Sequence, residues 1–95
     1  MKFTEQKLEG IYLIEPEPYK DERGMLRRNF CQEEFNSYGL MSEIKQTNVS
    51  ENKKKYTLRG FHFQLAPFGE NKVISCMKGG IYDVVVDLRK ESKTY

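Results

Sequence analysis

The sequence predicts an all-β fold, an antiparallel sandwich or barrel with one short helix. Three observations lead there. Short runs of β-branched and aromatic residues recur, from "GIYLIEP" near the start to "GIYDVVVDL" near the end. Turn-forming clusters separate them, among them "EPEP", "DERG" and "KGG". Only one stretch, "CQEEFNSYG", reads as a helix.

Each element has its own justification. Gly10 to Pro16 forms a short strand, and Pro16, Pro18 and the segment Asp21 to Gly24 turn the chain after it. Met25 to Phe30 is a second strand, with Met25, Arg27 and Asn29 opposite Leu26, Arg28 and Phe30. The helix then spans one to two turns. Glu33 and Glu34 lie early in it, where carboxylates favour the helix dipole, and Gly39 is placed to end it. Glu43 to Ser50 is a third strand, and "ENKKKY" a solvated basic loop. Leu58 to Gln64 follows as a strand. "KVISCM" and "GIYDVVVDL" then make two further runs around Lys78, Gly79 and Gly80, which signal a hairpin.

In that last run Tyr82, Val84, Val86 and Leu88 share one face, and Ile81, Asp83, Val85 and Asp87 the other. Asp87 lies near the strand end, where a charge costs little. Asp83 lies mid-strand, and either faces solvent at an edge or lines a polar pocket, where a carboxylate needs a partner. No later segment covers this apolar strand, so it calls for a neighbour.

A chain of 95 residues makes one small domain. Its hydrophobic fraction of 38% is low for a self-contained core, while 13% aromatic residues argue against disorder. A core completed by another chain or by further residues fits both numbers. With 16 basic against 14 acidic residues, no electrostatic case for nucleic acid arises. Cys31 and Cys76 lack metal or redox spacing and are expected as free thiols. "MKFTEQKLEG" has no apolar leader region and no run approaches membrane-spanning length, so neither secretion nor a membrane is expected, and a cytoplasmic location is.

The chemistry concentrates in "TLRGFHFQLAPFGENK", Thr57 to Lys72, which holds the single histidine, His62. Four readings compete. One histidine cannot build a metal cage. A serine or cysteine nucleophile would need a supporting turn motif, and none is present. A structural histidine within a strand is the plain reading. The fourth is a general base, since a neutral imidazole suits proton abstraction near neutral pH. A proton taken from beside a carbonyl leaves an enolate, whose oxygen needs a fixed cation or donor. Lys72 and Arg59 are candidate cations, and Asn48 and Gln64 candidate donors. In a regular strand His62 and Gln64 face away from Arg59, so serving one site requires a bend, and Gly60 is the natural place for it.

The segments "DERG", "QTN", "LRGFHFQ", Lys72 and "YDVVVDLRKES" occur in this order. Together they resemble the N-terminal half of the dTDP-4-dehydrorhamnose 3,5-epimerase family, over essentially the whole chain. The resemblance implies a metal-free cupin-type jelly roll, incomplete in this chain, with residues 1–95 as the N-terminal part of a single domain. It implies a homodimer, no cofactor, and epimerisation of a nucleotide-linked 4-keto-6-deoxy sugar at C3 and C5 in dTDP-rhamnose biosynthesis. By position, His62 matches the family's base and Lys72 the residue that stabilises the enolate oxygen. Asp83 matches a family acid near the base, which favours the pocket reading of that residue. Arg23, placed near the phosphates, and Arg59 match substrate-binding arginines. Gln46, Thr47 and Asn48 match a substrate-contacting segment, and Gln64 adds a donor.

The chain departs from the family pattern in places. Arg28 stands where the family has a nucleotide-binding glutamate. Ala66-Pro67 replaces a double proline, and Glu70 a glutamine. The family's acid, a tyrosine on the opposite sugar face, falls beyond Tyr95 in its pattern. Two alternatives follow: a non-catalytic module that binds sugar nucleotides, or a related single-centre epimerase or keto-sugar isomerase.

Overall fold

The computed structural model covers residues 1–95. Four short strands and one helix form, all within the first 37 residues: β1 (Lys2–Glu5), β2 (Tyr12–Glu15), β3 (Tyr19–Asp21), β4 (Gly24–Leu26) and α1 (Gln32–Ser37). The strands make two separate antiparallel hairpins, β1–β2 and β3–β4, and no closed barrel.

In the first hairpin Phe3 stands opposite Ile14 and Glu5 opposite Tyr12. The connection closes through Gln6 N–H donating to the Ile11 carbonyl at 2.8 Å, with Gly10 at φ +82°. β1 escaped the sequence reading because "KFTE" is short and polar, and Phe3 is its only large apolar residue. In the second hairpin Tyr19 pairs with Leu26 and Asp21 with Gly24. The expected loop therefore contains a strand, and the expected strand from Met25 to Phe30 ends at Leu26. "DERG" is itself the turn: Asp21 Oδ1 accepts from Arg23 N–H at 2.9 Å.

The helix lies where its sequence placed it. Glu33 and Glu34 occupy the first turn, and Gly39 takes φ +69° just past the end. Leu40 N–H donates to the Phe35 carbonyl and Gly39 N–H to the Asn36 carbonyl, each at 3.0 Å. That pair of bonds satisfies carbonyls the helix leaves open, and it needs a left-handed residue at Gly39.

The core is an aromatic cluster between α1 and the first hairpin. Phe35 is fully buried at 1% exposure, and Phe3 at 9% is the other buried residue. Phe3 meets Phe35 edge-on at 5.5 Å and stacks on Tyr38 at 4.4 Å. Phe30 tilts against Phe35 at 4.8 Å. The chain's amino group closes one side, bonding Glu34 at 2.9 Å and Glu17 at 3.1 Å, while Arg28 bonds Glu34 at 3.0 Å.

Beyond the helix the expected strands Glu43–Ser50, Leu58–Gln64, Lys72–Met77 and Gly80–Leu88 are not paired. Between residues 41 and 88 one backbone–backbone hydrogen bond forms, from Phe68 N–H to the Leu65 carbonyl at 2.9 Å. The whole chain makes 19 such bonds, where a compact domain of this size makes roughly 60. The physical reason is the lack of partners: alternation fixes which face a strand shows, whereas a strand exists only when another strand takes its hydrogen bonds.

The surface tells the same story. Accessible area is 9509 Å² for 11.2 kDa, against about 5,700 Å² for a compact monomer of that mass. The radius of gyration is 15.6 Å, against about 12 Å. Much of the excess is apolar, including Phe61, Phe63, Leu65, Phe68, Ile74 and the run Val84 to Val86. No helix is long and apolar enough to cross a membrane.

Candidate functional site

The stretch carrying His62 bends at Gly60, which stands at φ +120°. A side chain would be strained there, and a Cβ at Gly60 would sit 3.7 Å from His62 Nδ1. Gly60 thus takes a glycine-favouring conformation at the place where a bend would be needed for Arg59 and His62 to serve one site. It does not bring the two together. Arg59 reaches back, its Nη2 3.4 Å from the Glu51 carbonyl oxygen, and His62 is exposed.

Lys72 is half-exposed and pairs with Glu70, Nζ to Oε1 at 3.0 Å. Residues two apart in an extended segment point the same way, so the sequence alone puts this carboxylate beside this ammonium. Asp83 is exposed, and Gln46, Thr47 and Asn48 lie in the exposed, unpaired stretch after the helix. Gln64 lines an open groove of about 450 Å³ with Leu8, Ile11, Val85, Asp87 and Arg89. Arg23 lines a second, of about 380 Å³, with Tyr19, Met25 and Leu26 on the β3–β4 hairpin. There its guanidinium bonds Asp21 through Nη2 at 2.6 Å and Nε at 3.2 Å. Arg23 thereby holds the Asp21 carboxyl below its ordinary pKa. The structure thus places the expected residues on three separate segments, 21–24, 46–48 and 59–83, without converging them.

Asp87 is more than a strand-end charge. Its side chain is 3% exposed. It accepts from Arg89 Nε at 2.8 Å, from Arg89 N–H at 3.0 Å and from Thr94 Oγ1 at 2.7 Å. Arg89, then Ser92 and Thr94, hold this carboxyl far below the usual carboxylate range. Arg89 Nη2 also reaches the Glu9 carbonyl at 2.7 Å, tying the end of the chain to the first hairpin's loop. The signal was the spacing in "DLRKESKT": an arginine two residues after the aspartate and hydroxyls beyond it. Arg28 is occupied by Glu34, and Glu34 in turn is held down to about 2 by the chain's amino group and Arg28.

Comparison with known proteins supplies the context that the geometry lacks. The family model for dTDP-4-dehydrorhamnose 3,5-epimerase matches residues 5–95. A dTDP-4-dehydrorhamnose 3,5-epimerase of Methanothermobacter thermautotrophicus is 40% identical over 94 residues, covering 99% of this chain and 50% of its own. One from Shigella flexneri is 35% identical over 96 residues, covering 100% and 52%. A dTDP-4-dehydrorhamnose 3-epimerase of Streptomyces niveus is 34% identical, covering 100% and 46%. No solved structure matches the chain. The chain spans about half the length of the curated relatives it matches. With matching segments running from the first hairpin to the last residues, the chain belongs to the dTDP-4-dehydrorhamnose 3,5-epimerase family.

Proposed function

We propose that this chain is the N-terminal part of a metal-free jelly-roll domain that epimerises a nucleotide-linked 4-keto-6-deoxy sugar, as a homodimer in the cytoplasm. The observation that carries the proposal is the family match across residues 5–95, which takes in every expected site residue. The unpaired strand runs after residue 40 and the roughly 3,800 Å² of excess surface support the domain reading, since the rest of a jelly roll would supply both partners and cover.

In this account neutral His62 takes the proton from a carbon next to the C4 ketone. The C–H electron pair moves into the new C=C bond, and the carbonyl pair moves onto oxygen. Lys72 faces that oxygen, where a fixed cation or donor contributes about 10²–10³ in rate. His62 supplies a further 10²–10⁴ as general base. Asp83 is the acid close to the base, Arg23 takes the phosphates, and Arg59, Gln46, Thr47, Asn48 and Gln64 fix the substrate. Return of a proton to the opposite face needs an acid from outside these residues. No cofactor enters, because the 4-ketone already acidifies the neighbouring C–H bonds.

The protein expressed from its gene is to be mixed with dTDP-4-keto-6-deoxyglucose in deuterated water. Deuterium is expected at C3 and C5. Its absence from both positions refutes the proposal and favours a non-catalytic binding module. Label at C3 alone marks a single-centre enzyme, the activity named for the Streptomyces niveus relative.

A further inference from the structure

Of the seven acid-x-base spacings in the chain, four close into ion pairs: Asp21 with Arg23, Glu43 with Lys45, Glu70 with Lys72, and Asp87 with Arg89. The first and last are structural. Their aspartates also accept backbone N–H groups, from Arg23 at 2.9 Å and Arg89 at 3.0 Å, and so fix turns. Glu70 has no such task. Its one polar contact is the ion pair with the Lys72 ammonium, at 3.0 Å, and both side chains stay about half in solvent. The pair therefore fixes no turn, and it occupies the cation that the proposed chemistry assigns to the enolate oxygen.

We propose that Glu70 is a positioning residue that restrains the proposed reaction by competing for Lys72. The inference rests on the role given to Lys72 above. In the ground state the ammonium is shared with a carboxylate. A neutral ketone oxygen gains little by displacing it, whereas an enolate oxygen must displace it to be stabilised. The carboxylate then sits one ammonium's width from the developing negative charge and opposes it. Glu70 thus weakens transition-state stabilisation more than substrate binding, which places its effect in kcat rather than KM. The size follows from the exposure of the pair: exposed ion pairs are weak, and releasing one changes a rate by up to about fivefold.

Deuterium exchange into the keto-sugar nucleotide is to be measured for the gene-encoded protein and for Glu70→Gln, Glu70→Ala, Lys72→Ala and Glu70→Gln/Lys72→Ala. Both Glu70 variants are expected to raise kcat two- to fivefold with KM unchanged. In the Lys72→Ala background Glu70→Gln is expected to change nothing. Exchange equal in the parent and both Glu70 variants overturns the inference and leaves the proposed function standing. A rise that persists without Lys72, or a change in KM alone, overturns it too. No exchange in any protein refutes the proposed function, and the inference falls with it.

Discussion

Replacing Phe35 by alanine tests where the folded chain keeps its stability. Phe35 is the one fully buried side chain, with Phe3 edge-on at 5.5 Å and Phe30 at 4.8 Å. Removing a buried phenylalanine costs about 3–5 kcal/mol. Two aromatic contacts of about 0.5–1.5 kcal/mol each are part of that loss. A well-packed domain of this length holds roughly 5–14 kcal/mol in total, and this chain buries much less than such a domain. Phe35→Ala is therefore expected to remove most of the stability of the first hairpin and helix. Urea titration followed by tyrosine fluorescence and near-ultraviolet dichroism reads it, the chain having six tyrosines and no tryptophan. Val49→Ala is the control, because Val49 is 99% exposed and its loss is expected to cost under about 0.5 kcal/mol. A Phe35→Ala cost below about 1 kcal/mol, or one equal to the control, refutes the placement of the core.

Two further outcomes follow from the ionic groups. Glu34 is held at about 2, first by the chain's amino group and then by Arg28. A depressed carboxyl stabilises the fold above its ordinary value near 4.5, and that contribution is lost as pH falls from there to about 2. The amino group is raised above 8.0, so its share is full below 8.0 and is lost as pH rises through the raised value. Helix dichroism is expected to fall at both ends, with the acid limb absent in Glu34→Gln; an unchanged acid limb contradicts the pairing. Asp87→Asn is expected to free the end of the chain from the first hairpin's loop. Amide hydrogen exchange at Glu9, Arg89 and Thr94 then quickens by about tenfold, while the amides of α1 keep their rates.

The helix was legible because its signals are local: two glutamates in the first turn, and a glycine where a left-handed residue is needed. β2 was legible for the same reason, from the apolar run in "YLIE". β3 was hidden by Pro16 and Pro18, which mark a loop, although the turn itself was spelled by Asp21 to Gly24. The runs from Glu43 to Leu88 show the limit of periodicity. Their alternation is plain, but a partner strand is a property of the whole fold, and only the chain's first hairpins find one. The site divides in the same way. Bonds between near neighbours, such as Glu70 with Lys72 or Asp87 with Arg89, are written in the spacing. Whether distant segments such as those of Arg23, His62 and Asp83 meet is set by long-range packing, and no short motif carries that.

The central claim is that His62 is the base that removes a proton beside a sugar ketone. Its most direct measurement compares the parent protein with His62→Ala in deuterated water, with nucleotide binding followed by calorimetry on the same samples. The account predicts that exchange falls by about 10²–10⁴ while the affinity for the nucleotide diphosphate stays within about threefold. Exchange at the parent rate in His62→Ala would contradict it.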